Sequence, residues 1–213
     1  MASEEDPEPS LELERIVFFS DAVMAIVATI LVIELALPDL SAGELASQLP
    51  ELLISLFPKF ISYCLSFMII GSFWVRHHMI FSYIRKYDYR LIWSNIFFLL
   101  FLALVPFATG VLGAAVFNVT SVIFYSGVVA SASIMFLVMW MYASRGYRLV
   151  SQSISKKSIQ YEERRSILTT TAFLLAIPVA FVDVRLSVAV WAMAPLAFGI
   201  YRRISTRQSR KSN

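Results

Sequence analysis

The 213-residue chain is short of charge: Asp, Glu, Lys and Arg supply 15% of its residues, against about one-quarter in a typical soluble domain. Too few charges are present to cover a globule in water, so a soluble enzyme, a disordered tail and a nucleic-acid-binding module all fit poorly. Cysteine is nearly absent; the one residue, Cys64, sits inside an apolar run, which excludes an internal disulfide and leaves the redox compartment open. Histidine is equally scarce. His77 and His78 are adjacent and face different directions on a helix, and no E-x-x-H spacing accompanies them, so no resident metal or other cofactor is expected. No segment carries arginines at regular intervals, which argues against a voltage sensor. The N-terminus is acidic rather than basic, and the first apolar stretch is long, so no secretory signal is expected.

What fills the chain is hydrocarbon. Hydrophobic residues make up 58%, including 17 Phe, and mean hydropathy is +0.71. The apolar residues come in continuous runs near bilayer-spanning length. In lipid the backbone must satisfy itself within a helix or a closed barrel, and continuous runs, unlike alternating ones, specify helices. The expectation is an all-α integral membrane protein with six transmembrane helices, at about 16–37, 53–75, 91–112, 119–143, 167–182 and 186–201. These form one membrane domain over 15–203. An acidic N-terminus (1–14) and a basic tail (204–213), both expected to be disordered, flank it. Ser41–Pro50, with polar Ser41, Glu44, Ser47 and Gln48, suits a short interfacial helix outside.

Charge fixes the orientation. Of 18 Lys and Arg residues, only Lys59 and Arg185 fall on one side; Arg15, the loop from Arg76 to Arg90, the loop from Arg145 to Arg165 and the tail fall on the other. The positive-inside rule then places both termini in the cytoplasm. The basic tail follows an apolar segment directly, which points to anionic lipid headgroups rather than nucleic acid.

Polar residues inside spans are costly and therefore informative. The first span holds Ser20, Asp21, Thr29 and Glu34; the region after the second holds Trp74, His77, His78 and Asn95. Elsewhere Ser and Thr dominate, and these can bond their own backbone. Almost no nucleophile–base pair is available, so no enzyme is expected. Asn118-Val-Thr120 matches a glycosylation sequon but sits on a very short outer loop, where it is incidental.

The first span opens Arg15-Ile-Val-Phe-Phe19-Ser20-Asp21 and continues through Ala25-Ile26 and Thr29. This R-x-x-x-F-S-D pattern at the head of the first membrane helix resembles the TMEM175 family of potassium channels. The six spans and the Trp74/His77/His78 cluster also resemble a bacterial member. The resemblance implies a homotetramer in the bacterial plasma membrane whose first helices line a central pore. It implies a filter of apolar rings, in keeping with the absence of any TVGYG-type loop. The principal constriction would fall on Ile26, further rings on Ile30 and Ile33, and a selectivity-tuning hydroxyl on Thr29. Potassium would pass, and sodium and other monovalent cations more weakly.

Physical reading of the same helix runs beside this. Val23, Ile26, Ile30, Ile33 and Leu37 repeat at three and four, the seam of a coiled coil, and Ile at both core positions favours trimers or tetramers. From Ile26 to Ile33 the rise is about 10 Å, enough for a short dry constriction. A second stripe, Ala22, Ala25, Thr29, Val32 and Ala36, has the small residues that let membrane helices approach closely. Periodicity does not choose between the two stripes.

Asp21 lies about 140° around the helix from Ile26, and Ser20 about 120° the other way. With Ile26 toward an axis, Ser20 and Asp21 turn inward as structural anchors for Trp74, His77 or Asn95. Arg15 either binds a carboxylate or helix end, or snorkels to headgroups. Glu34 either concentrates cations at an outer mouth or packs between helices. Isoleucine offers no ligand, so selection would work through dehydration, which potassium tolerates better than sodium. The competing reading is a secondary transporter or proton pathway that titrates Asp21 and Glu34, although no internal repeat is visible.

Overall fold

The computed structural model describes residues 11–37, 42–115 and 117–191, and over them the chain is helical with short connections. Helix α1 (Leu11–Ile30) passes directly into a 3₁₀ segment, Leu31–Leu35. Next come α2 (Ala42–Ser55), α3 (Phe57–Phe81), α4 (Tyr89–Ala103), α5 (Val105–Ala114), α6 (Val119–Ser144) and α7 (Lys156–Ala180). A helical stretch, 184–191, follows.

Local chemistry explains the boundaries. Pro58 and Pro106 sit in the first turns of α3 and α5, where a missing N–H costs nothing. The expected single span at 91–112 is two helices meeting at Leu104, because Pro106 has no N–H for the carbonyl four residues back. Asp88 caps α4 by accepting from the Leu91 amide at 2.9 Å. Asn118 caps α6 by accepting from Thr120 N–H at 2.8 Å, and Ser155 caps α7 by accepting from Ser158 N–H at 3.1 Å.

Four helical stretches among the described residues are long and apolar enough to cross a membrane: Leu11–Leu35, Phe57–Phe81, Tyr89–Ala114 and Val119–Tyr147. They coincide with the first four expected spans to within a few residues, apart from an earlier start for the first and a later end for the second, at Phe81 where Val75 was expected. Residues 11–14, grouped by sequence with the acidic terminus, belong to α1; Leu13 is buried, and Glu12 accepts from the Tyr87 hydroxyl at 2.6 Å. The fifth segment starts eleven residues before the expected Ile167, since α7 runs helically through the charged stretch from Lys156. Of the sixth, residues 192–201 lie outside the described residues, as do 1–10 and the tail 204–213.

Helix α6 sits at the centre, packed on α4, α5 and α7, while α1 packs on α3, α4 and α5. Phe73, Phe98 and Phe136 form the aromatic heart, with ring centroids 5.4 to 6.0 Å apart. Lipid supplies no hydrophobic force between helices, so dispersion and interhelical hydrogen bonds must hold them. Ser66 and Tyr125 hydroxyls are 2.9 Å apart, Thr109 donates to Ser66 at 2.7 Å, and Ser133 meets Thr170 at 2.8 Å.

One charge was misplaced by sequence. Arg76, counted with the cytoplasmic loop, lies within α3 and is 2% exposed. Its Nε is 3.4 Å from Glu162 Oε2, it donates to the Ser166 hydroxyl, and its guanidinium lies 4.5 Å from the Phe136 ring centroid. Hydropathy ends a span at an arginine; the buried carboxylate that neutralises this one is 86 residues further along.

Candidate conduction helix and its anchors

Helix α1 has two unlike faces. Leu13, Ser20, Met24, Val27 and Leu31 are buried against the bundle. Opposite them, Ile26 is 56%, Ile30 42% and Ile33 65% exposed. Ala22, Ala25, Thr29 and Val32 are exposed beside them, so both stripes are bare in the single chain.

The inward polar residues are tied. The Ser20 hydroxyl donates to Ile16 O at 2.8 Å and accepts from Asn95 Nδ2 at 2.8 Å. Asn95 Oδ1 stands 3.0 Å from His77 Nε2; an amide oxygen only accepts, so Nε2 carries the proton. The His77 ring stacks on Phe81 at 4.2 Å and on Phe98 at 5.9 Å. Trp74 Nε1 donates to Asp21 Oδ1 at 3.0 Å. Helices α1, α3 and α4 are thus pinned at one level by five side chains from the motif and the Trp/His/Asn cluster.

The remaining residues are placed as follows. Phe19 is exposed. Arg15 is exposed too, and among the described residues no ion pair engages it. Thr29 is exposed, but its hydroxyl is used locally, donating to Ala25 O at 3.0 Å and Ile26 O at 2.9 Å. Glu34 is half-buried, and a methyl placed on Gly110 of α5 would collide with its carboxylate. Sequence gave no sign of this seat, because a glycine's packing partner is not written near it. In the 3₁₀ segment residues three apart eclipse, which brings Ile33 toward register with Ile30.

Two grooves flank the bare face. One, about 410 Å³, is bordered by Ile26, Ile30 and Glu34 on one side and Ala103, Pro106 and Phe107 on the other. The second, about 270 Å³, runs between Asp21, Ala25 and Ala28 and the α3 residues Phe67, Gly71 and Trp74. The isoleucine stripe therefore leans toward α5 and the small-residue stripe toward α3. Among the described residues no cluster of three or more His, Cys, Asp or Glu could hold a metal ion.

Comparison with known proteins bears on this arrangement. A family model described as endosomal/lysosomal potassium channel TMEM175 matches residues 15–106. A potassium channel of Chamaesiphon minutus is 30% identical over 199 residues, spanning 92% of this chain and 97% of the relative. A potassium channel of Streptomyces collinus is 28% identical over 88% of this chain and 92% of its own length. The endosomal/lysosomal proton channel TMEM175 of Rattus norvegicus is 33% identical over 108 residues, 48% of this chain and 22% of that protein. Among solved structures, the crystal structure of a lysosomal potassium-selective channel TMEM175 homolog from Chamaesiphon minutus superposes with TM-score 0.77 at 27% identity, covering 90% of this chain and 98% of that one.

Proposed function

The chain belongs to the TMEM175 family, and from that premise we propose that it is a passive cation channel that prefers potassium, built as a homotetramer around four copies of α1. In this reading it is a six-span protein of the bacterial plasma membrane with both termini in the cytoplasm. Sodium and other monovalent cations pass more weakly.

The observation that carries the reading is the division of labour on α1. Ser20 and Asp21 of the motif are hydrogen-bonded to neighbouring helices, while Ile26, Ile30 and Ile33 stand bare. Rings of these isoleucines, one from each subunit, constrict the pore and make an ion shed part of its water shell. Potassium holds that shell more loosely than sodium and crosses more readily. Thr29 stands next to the constriction. Glu34, at the outer end of α1, contributes negative charge at the mouth. Ser20 and Asp21, with Trp74, His77 and Asn95, hold the helix at a fixed rotation, and Arg15 and Phe19 face outward at its head. An Asp21 engaged by Trp74 Nε1 suits an anchor better than the titrating group of a carrier.

The test is ion flux through the purified full-length chain in liposomes, with Ile26→Asn beside it. We expect potassium flux that follows its gradient without a coupled ion, and a variant with larger conductance and a potassium-to-sodium ratio nearer unity. A wild-type flux that requires a second ion, or an unaltered ratio in the variant, refutes the proposal.

A further inference from the structure

The cytoplasmic end of α6 is built unlike any other helix end described here. Its last turn runs into Gly146 and Tyr147, both left-handed, with φ of 61° and 54°. Glycine adopts that conformation without penalty and tyrosine does not. The Leu149 amide closes the turn on Ala143 O at 3.0 Å, and the Arg85 amide donates to Leu149 O at 2.8 Å from the α3–α4 loop.

The reversal sets Arg145 and Arg148 on one groove of about 340 Å³, whose other walls are Val138, Met141 and Tyr142. Arg148 is held in place, its guanidinium 4.6 Å from the Tyr142 ring centroid. The Tyr142 hydroxyl in turn donates to Asp88. Asp88 is the acid nearby, and it is engaged elsewhere: one oxygen takes Tyr142 and the other caps α4. Burial pushes the Asp88 carboxyl up, but hydrogen bonds from Tyr142 and from the Leu91 and Arg90 amides, with the charge of Arg148, outweigh it and hold it below its ordinary value. Among the described residues neither arginine makes an ion pair.

Above the groove the helix is greasy. Ile134, Val138, Met141 and Arg145 follow one another at spacings of four, three and four on a single stripe, and Ile134 and Val138 are exposed. That stripe belongs to a helix long and apolar enough to cross a membrane, and it lies on α6, not on α1 with its bare face. An exposed hydrocarbon stripe that ends on two guanidiniums, neither in an ion pair among the described residues, complements a molecule with an acyl chain above and an anionic phosphate below. Guanidinium forks suit phosphate oxygens, and such heads sit at the depth of a span's inner end.

We propose that this groove is a binding site for an anionic glycerophospholipid, its phosphate held between Arg145 and Arg148 and one acyl chain laid along Val138 and Ile134. The site is independent of how ions cross the protein.

Native mass spectrometry of the full-length chain, delipidated and offered equal amounts of dioleoylphosphatidylglycerol and dioleoylphosphatidylcholine, tests it. The wild type should retain the phosphatidylglycerol about thirtyfold over the phosphatidylcholine, the scale set by two basic residues at a lipid surface. Arg145→Gln/Arg148→Gln, which removes both charges and leaves polar side chains in their place, should abolish that preference. Lys156→Gln/Lys157→Gln, two exposed cations at the start of α7, should leave it intact. Excess inorganic phosphate should not displace the lipid. Equal retention of both lipids by the wild type, an unaltered preference in the arginine variant, an equal loss in the lysine variant or displacement by phosphate alone would each overturn the assignment.

Discussion

Spans Leu11–Leu35 and Val119–Tyr147 are both strongly apolar, yet 22% of the first span's most apolar stretch is buried in the chain and 56% of the second's. In water such a difference would mark α1 as unfinished. In lipid it does not, because hydrocarbon outside a helix is as apolar as hydrocarbon inside the bundle. What separates the two spans is the purpose of their polar groups. Those on α6 stitch the bundle at several levels, with Ser126 accepting from Trp191 at 3.1 Å and Ser133 meeting Thr170. Those on α1 that bond to other helices gather at one level, Ser20 and Asp21, and set how the helix is rotated. A span that is weakly buried, firmly keyed and flanked by two grooves is one arranged to meet something beyond its own chain.

The comparison can be broken most severely beside α6. Glu162→Ala leaves the Arg76 guanidinium buried without its carboxylate and should cost about 3–5 kcal/mol, read as a large fall in the thermal unfolding midpoint of purified protein. Replacing both partners, Arg76→Met with Glu162→Leu, should recover most of that loss. A mild Glu162→Ala phenotype would mean that the pair is not what holds α3 to α7.

Smaller effects sharpen the other half. Gly110→Ala drives a methyl into the Glu34 carboxylate, the far end of a flexible half-buried side chain that can swing aside, and should destabilise by about 1 kcal/mol, the low end of the range for overpacking. Adding Glu34→Ala should relieve it, and a double variant no more stable than Gly110→Ala alone would show that Glu34 is not the obstacle. Asn95→Ala severs the links to Ser20 and His77 and should cost about 1 kcal/mol, on the scale measured for hydrogen bonds between membrane helices. Its sharper signature is ion selectivity, since a helix free to rotate no longer presents one stripe. Preserved selectivity with lowered stability would confine Asn95 to packing.

Much of this was legible in the sequence, for identifiable reasons. Long apolar runs locate the first four spans because lipid leaves the backbone no alternative. Wheel arithmetic turns Ser20 and Asp21 away from Ile26, and in the structure those two side chains meet Asn95 and Trp74. The failures share one cause, which is partnership over distance. Glu162 and Arg165 read as loop because a charge looks solvated until its partner is known, and Arg76 is on another helix. The seat of Glu34 on Gly110 depends on how α5 approaches α1, which no local pattern records. The choice between the isoleucine and small-residue stripes depends on neighbouring copies, so a single chain leaves both bare.

Whether α1 lines the pore through its isoleucines is decided by cysteine scanning of its exposed face, in a Cys64→Ser background with silver ion as a thiol-reactive permeant probe. Silver should block potassium current through Ile26→Cys, Ile30→Cys and Ile33→Cys and leave Ala22→Cys, Ala25→Cys and Val32→Cys conducting. Block confined to the alanine and valine positions, or absent from α1 altogether, would contradict an isoleucine-lined pore.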